Sequence, residues 1–127
     1  MKNYDLNGML KNAEDDIEFT LKLKISRDSC NTIIRNIYEA FRMLGEAVLL
    51  SKGFKSFDHK AMIEELLKLD KNEHLLFLNT IKEIRHKINH KGYQAGIEET
   101  KDIIDFAEQH FNNIFKKVKN EIDNFSI

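Results

Sequence analysis

A stretch rich in apolar residues, residues 33–53, reads IIRNIYEAFRMLGEAVLLSKG. Its apolar side chains recur at steps of three and four, the spacing that places them on one face of an α-helix. The members of this stripe are Ile33, Ile37, Phe41, Leu44 and Val48, widened by Ile34, Ala40 and Ala47. The pattern predicts an amphipathic helix that ends near Gly53, since glycine readily takes the left-handed conformation that closes a helix.

Four further segments have the same spacing, with their apolar stripes in residues 6–21, 62–69, 77–88 and 104–125. No segment shows the sustained alternation of a strand, and the chain lacks proline, which favours unbroken helices. We therefore predict an all-α fold. Its arrangement is expected to be an antiparallel four-helix up-and-down bundle with one additional short helix, in a single domain over residues 1–127.

The interruptions between the stripes contain residues that start or end helices. Ser26, Asp28 or Ser29 could cap the second helix, and Asp58 is the expected cap of the third. The fourth helix should stop before Gly92. Three phenylalanines fall off the stripes and could form a subunit contact: Phe19, Phe54 and Phe57.

Composition limits the classes of protein that the chain can belong to. Its 127 residues suit one domain, and 20 basic against 21 acidic side chains give no global basic excess for nucleic-acid binding, although a local patch stays open. A single cysteine, Cys30, forms no intrachain disulfide and no metal finger. Residues 1–7 lack the apolar core of a signal peptide, and apolar runs such as residues 47–50 are far shorter than a membrane span. We predict a cytoplasmic protein without a membrane segment.

The most informative stretch for function is residues 83–93, EIRHKINHKGY, at a predicted helix end. His86 and His90 are four positions apart and share a helix face. Arg85 and His90 are five apart, which on a continuous helix separates their directions by about 140°. They can face one ligand only if the helix frays near Asn89 or if a second subunit completes the site.

Arg85-x4-His90 at the end of the penultimate helix resembles the R-x4-6-H signature of HEPN domains, a family of small all-α proteins. The similarity extends over most of the chain. Residues 38–53 look like the second helix of that family, and His59 with the following Ile63-x2-Leu66 looks like the third. A long helix after the signature also matches.

The resemblance implies a metal-independent endoribonuclease that acts as a homodimer, with both Arg85 and His90 pairs lining an interface cleft. RNA carries its own nucleophile, the ribose 2′-hydroxyl, so neither a metal nor a cofactor is expected. Arg85 would hold the scissile phosphate through two parallel hydrogen bonds, and His90 would exchange protons near neutral pH. The products would carry a 2′,3′-cyclic phosphate and a 5′-hydroxyl. Five further residues of the stretch are expected to contact the substrate: His86, Lys87, Asn89, Lys91 and Tyr93.

Two positions depart from the family pattern. Members often place a small polar residue directly after the arginine, where this chain has His86. In members paired with a nucleotidyltransferase antitoxin, a tyrosine commonly lies two residues after the histidine and is nucleotidylated, whereas Tyr93 lies three after His90. RNase chemistry is compatible with this offset, but modification of Tyr93 is not expected.

Each residue also has a simpler interpretation. The basic residues from Arg85 to Lys91 could merely complement the helix dipole, Asn89 could cap the helix, which we favour, and Tyr93 could be a packing residue. His86 and His90 match the spacing of a zinc pair, but Lys87 stands where a metalloprotease has glutamate. A di-iron site would need a second Glu-x2-His copy, which the sequence lacks.

Two functions remain as hypotheses. The first is the endoribonuclease, as the toxin component of a toxin–antitoxin pair, with RNA as substrate. The second is a non-catalytic HEPN-like binding subunit that docks a nucleotidyltransferase-type antitoxin or a nucleotide.

Overall fold

The computed structural model of the protein describes residues 5–55 and 58–125, and its regular structure there is entirely helical, without a β-strand. This confirms the predicted all-α class. The five α-helices are α1 (Leu6–Leu21), α2 (Arg27–Ser51), α3 (His59–Leu69), α4 (Phe77–Lys91) and α5 (Ile97–Phe125). A short 3-10 helix at Glu73–Leu76 leads directly into α4.

Polar side chains fix where three of the helices begin. Asp5 Oδ1 accepts from the Gly8 backbone N–H at 2.8 Å before α1, and Asp58 Oδ1 accepts from the Ala61 N–H at 2.8 Å before α3. Ser26 precedes α2, and its backbone N–H donates to Ser29 Oγ at 2.9 Å. Such bonds satisfy N–H groups that have no partner within the helix. Asp58 is confirmed as the cap of α3, and Ser26 lies at the cap position of α2, where Ser29 supplies the hydrogen bond.

Two glycines in the left-handed region follow the ends of helices. Gly53 has φ 92° just beyond α2, and Gly92 has φ 64° directly after α4. The backbone N–H of Tyr93 then donates to the carbonyl of Lys87 at 3.2 Å, which occupies one of the free carbonyls at the end of α4. Both helix ends lie where the sequence predicts them.

The core is built around α2, which contacts each of the other four α-helices. The Phe41 ring lies 5.6 Å from the ring of Phe106 and 5.3 Å from that of Phe111, and these contacts join α2 to α5. Gly45 lies against the backbone of Met62, so closely that a Cβ at position 45 would overlap the Met62 carbonyl. Glycine therefore sets the close approach of α2 and α3.

The predicted apolar stripes of α1 to α4 all belong to the core or pack against it. The stripe of α5 is shifted at its start, where Ile103 and Phe106 are buried and Ile104 is half-buried. Phe19 and Phe54 are exposed, at 63% and 54% of their surface. Phe57 and the Phe125 side chain lie outside the described residues. No helix in the described ranges is both long and apolar enough to cross a membrane.

Candidate functional site

The second half of α4 lies antiparallel to α2, and this pairing positions the site residues. Arg35 Nε donates to Asn89 Oδ1 at 2.8 Å. One turn further along α2, and one turn back along α4, Tyr38 faces Arg85. One face of α4 therefore packs on α2.

Arg85 is half-buried on that inner face. Its Cζ atom lies 5.5 Å from the centroid of the Tyr38 ring, a distance at which a guanidinium is attracted to an aromatic face. Within residues 5–55 and 58–125, its guanidinium has neither a hydrogen bond nor an ion pair. A planar cation is thus held in place while its hydrogen-bond donors have no protein partner in the described chain.

His90 lies on a different face of α4. It is exposed, and its ring centroid is 4.7 Å from that of His86, which is also exposed. The helix continues without fraying to Lys91, so Arg85 and His90 keep the divergence of about 140° that a continuous helix imposes. Of the two arrangements that would bring them to one ligand, helix fraying does not occur.

The other predicted substrate-binding residues surround the end of α4. Lys87 and Lys91 are exposed, and Lys87 Nζ lies 5.8 Å from the Tyr93 ring centroid. Asn89 does not cap the helix, contrary to the interpretation favoured from the sequence, because its side-chain oxygen accepts from Arg35 and Gly92 closes the helix instead.

Tyr93 belongs to the connection between α4 and α5, which is hydrogen-bonded to the start of α2. Asn31 Nδ2 donates to the Tyr93 carbonyl at 3.1 Å, and Asn31 Oδ1 accepts from the Ala95 N–H at 2.9 Å. The Tyr93 hydroxyl donates to Glu99 Oε1 at 2.9 Å, and this hydrogen bond raises the pKa of the tyrosine. The Tyr93 side chain therefore contacts Lys87 through its ring and Glu99 through its hydroxyl.

Two residues beside Arg85 were missed as site residues in the sequence. Tyr38 is fully buried, and its hydroxyl oxygen lies 2.7 Å from Nδ1 of His59, the first residue of α3. The two rings are nearly parallel, at 6°, with centroids 5.7 Å apart. Burial raises the pKa of Tyr38 to about 12, against the opposing charge of Arg85, so the hydroxyl stays protonated at neutral pH.

Burial and neighbouring charges together determine the protonation of Tyr38 and His59. Burial lowers the pKa of His59, and the positive charges of Arg85 and Arg42 lower it further. Glu39 and Asp58 oppose this effect. Arg42 holds the Glu39 carboxylate, since its Nε lies 2.9 Å from both carboxylate oxygens. The hydrogen bond from Arg42 lowers the pKa of Glu39. We therefore expect a neutral imidazole and an ionised Glu39 at neutral pH.

No periodic pattern in the sequence connects these residues. Tyr38 reads as a member of an apolar helix, and His59 follows a helix cap 21 positions later. The one available signal was a polar-tipped aromatic inside a buried stripe, because its hydroxyl needs a partner.

Within the described ranges, no group of three or more His, Cys, Asp or Glu side chains is placed to hold a metal ion. We compared the chain with protein-family models, with curated proteins and with solved structures, and none of these matches it. A functional assignment therefore depends on the sequence motif and on the geometry around Arg85.

Proposed function

We propose that this chain is a HEPN-like, metal-independent endoribonuclease that works as a homodimer, with Arg85 and His90 as its catalytic residues. The strongest support for this proposal is that the Arg85 guanidinium has no hydrogen-bond acceptor among the described residues. Arg35 is bonded to Asn89 and Arg42 to Glu39, whereas Arg85 has no acceptor among the described residues. A half-buried guanidinium of this kind is suited to bind a phosphate bidentately.

The proposed chemistry needs only one bound phosphodiester and a proton carrier. The ribose 2′-oxygen attacks phosphorus, and the bond from phosphorus to the 5′-oxygen breaks. His90 takes the proton of the 2′-hydroxyl and returns a proton to the 5′-oxygen, while Arg85 stabilises the negative charge that builds up on the phosphate oxygens. The products are a 2′,3′-cyclic phosphate and a 5′-hydroxyl.

The divergence of the two side chains on α4 is the reason for proposing a dimer. One protomer does not aim Arg85 and His90 at the same phosphate, so His90 must come from the second protomer. The face of α4 that carries His86 and His90 is exposed in the described chain, which leaves it open to a second copy. Isologous contacts across a twofold axis would then create two equivalent sites.

We also propose an arrangement for the helices: α1, α2, α4 and α5 form an antiparallel up-and-down bundle, with α3 as the additional short helix, in one HEPN-like domain. The antiparallel pairing of α2 and α4 and the central place of α2 support this arrangement.

The biological setting proposed is that of a cytoplasmic toxin component, with RNA as substrate and a nucleotidyltransferase-type antitoxin as partner. The second candidate is a non-catalytic subunit that docks such a nucleotidyltransferase or a nucleotide. The engaged hydroxyl of Tyr93 and the separation of His90 from Arg85 favour this alternative. Co-purification with a nucleotidyltransferase, in a chain without RNase activity, would identify it.

The experiment is an RNA cleavage assay in EDTA with wild-type protein and a His90→Ala variant. We expect cleavage by the wild type and a loss of about 10²–10⁴-fold in the variant, the range for removal of a proton-transfer group. Arg85→Lys tests the bidentate contact, since lysine keeps the charge. His74→Ala, an exposed histidine before α4, is the matched control. Equal cleavage by wild type and His90→Ala would reject the ribonuclease proposal.

A further inference from the structure

The buried hydroxyl of Tyr38 needs a hydrogen-bond partner within the protein, because water does not reach it. Its side chain is fully buried, and in the part of the chain that the structure describes its one partner is Nδ1 of His59, at 2.7 Å. This bond ties the centre of α2 to the first residue of α3.

The burial of Tyr38 determines the tautomer of His59. If Nδ1 carried the proton and donated it, the buried hydroxyl hydrogen of Tyr38 would be left without an acceptor. The favourable arrangement has the Tyr38 hydroxyl donating to an unprotonated Nδ1. The imidazole then carries its single proton on Nε2, as a neutral ring does when the other nitrogen accepts.

The Nε2–H of this ring has no partner in the described residues, and the His59 side chain is half-buried. Arg85 contacts the same Tyr38 ring, and its charge is among the causes that lower the pKa of His59. Arg85 and His59 are therefore two neighbouring donors that lack acceptors. Glu39, whose carboxylate interacts electrostatically with both, is held by Arg42.

We infer that His59 is a phosphate-binding residue of the Arg85 site, where its Nε2–H donates to the RNA phosphate that Arg85 holds. Tyr38 acts as a positioning residue, because its hydroxyl fixes the tautomer and orientation of the imidazole. This inference rests on the proposed function for the identity of the ligand. It adds α3 to a site that the sequence motif confines to α4.

Two amide substitutions separate this role from a purely structural one. His59→Asn keeps a polar atom near the position of Nδ1, so Tyr38 retains a partner, but it has no donor at the position of Nε2. His59→Gln places an amide nitrogen near Nε2 and leaves the Tyr38 hydroxyl without its acceptor. If His59 has only a structural role, His59→Gln should lose more RNA binding than His59→Asn. If His59 binds the phosphate, His59→Asn should lose more.

The probe is a fluorescently labelled RNA whose 2′-oxygens are methylated, so that it binds without being cleaved. We expect His59→Asn to weaken binding about tenfold, as for a lost hydrogen bond to a charged group, and His59→Gln to stay within about threefold. His74→Asn is the matched control and should bind as the wild type does. Thermal melting of each variant establishes that it is folded.

The ring nitrogens of His59 provide a second readout, through a long-range ¹H–¹⁵N spectrum at neutral pH. We expect the proton on Nε2, and Tyr38→Phe should allow the Nδ1–H tautomer to appear. A wild-type ring protonated on Nδ1, or His59→Asn binding RNA as tightly as wild type, would overturn the inference.

The inference and the proposed function fail in different ways. If wild-type protein binds the RNA and Arg85→Gln weakens that binding while His59→Asn does not, only the role of His59 is wrong. If wild-type protein does not bind the RNA at all, the proposed function fails and this inference fails with it.

Discussion

The Cζ atom of Arg85 lies 5.5 Å from the centre of the Tyr38 ring, which holds this guanidinium against α2. Tyr38 also binds His59 through its hydroxyl, so one buried side chain organises groups from α3 and α4. The same tyrosine therefore affects both the stability of the fold and the protonation of the proposed site.

Removing the hydroxyl of Tyr38 should show how much its bond to His59 contributes to the stability of the fold. In Tyr38→Phe the ring contact with Arg85 remains, but one buried hydrogen bond is lost, and the free energy of unfolding should fall by about 1 kcal/mol. Urea denaturation measures this change. Tyr93→Phe, which removes an exposed hydroxyl from Glu99, is the control and should cost less than about 0.5 kcal/mol. Equal effects of the two variants would show that the bond from Tyr38 to His59 adds no stability.

The lowered pKa of His59 predicts that acid destabilises the fold. Burial, Arg85 and Arg42 hold this pKa below the value in the unfolded chain, about 6.5, so the unfolded state binds more protons as the pH falls. The stability that His59 contributes is complete above pH ~6.5 and is lost as the pH falls through the folded-state value.

Unfolding in urea between pH 8 and pH 5 measures this effect in wild type and in His59→Asn. Subtracting the two curves removes the contribution of the other titrating groups. We expect the wild type to lose more stability on acidification than His59→Asn. Parallel curves would mean that His59 titrates equally in the folded and unfolded states.

Gly45 should tolerate no side chain, because α2 and α3 approach each other there. A Cβ at position 45 would overlap the carbonyl of Met62, so Gly45→Ala must push the helices apart, at a cost of about 1–3 kcal/mol. Gly96→Ala is the matched control, since a Cβ there meets nothing within 4 Å. We expect that control to stay within about 0.5 kcal/mol of wild type in urea denaturation. A wild-type stability for Gly45→Ala would show that the two helices can move apart freely.

Much of the fold could be predicted from the sequence, because the spacing of apolar residues within a single segment identifies the buried face of a helix. The apolar stripe from Ile33 to Val48 can be recognised from neighbouring residues alone. Asp58 indicates a helix start because its carboxylate can cap it, and Gly92 indicates a helix end because glycine adopts the left-handed conformation. The site is less predictable, because its contacts depend on tertiary packing. Asn89 was expected to be a cap, but Arg35 of a different helix competes for its oxygen.

The α4–α5 connection depends on Asn31, whose amide bonds both sides of that segment. Asn31→Ala should lower the free energy of unfolding by about 1–2 kcal/mol and increase amide hydrogen exchange at Tyr93 and Ala95. Asn112→Ala, at an exposed position of α5, is the matched control and should change neither. Unchanged exchange at Ala95 in Asn31→Ala would argue that the connection is held by other contacts.

The central claim is that Arg85 of one protomer and His90 of the other form a single ribonuclease site. Equal amounts of Arg85→Gln and His90→Ala protein, unfolded together and refolded, should give a mixture in which about half of the dimers are mixed. Each mixed dimer would contain one site with both residues intact. We expect each variant alone to be inactive and the mixture to recover about a quarter of the wild-type RNA cleavage rate in EDTA. No recovery, with mixed dimers demonstrated and wild type active, would contradict a site shared between protomers.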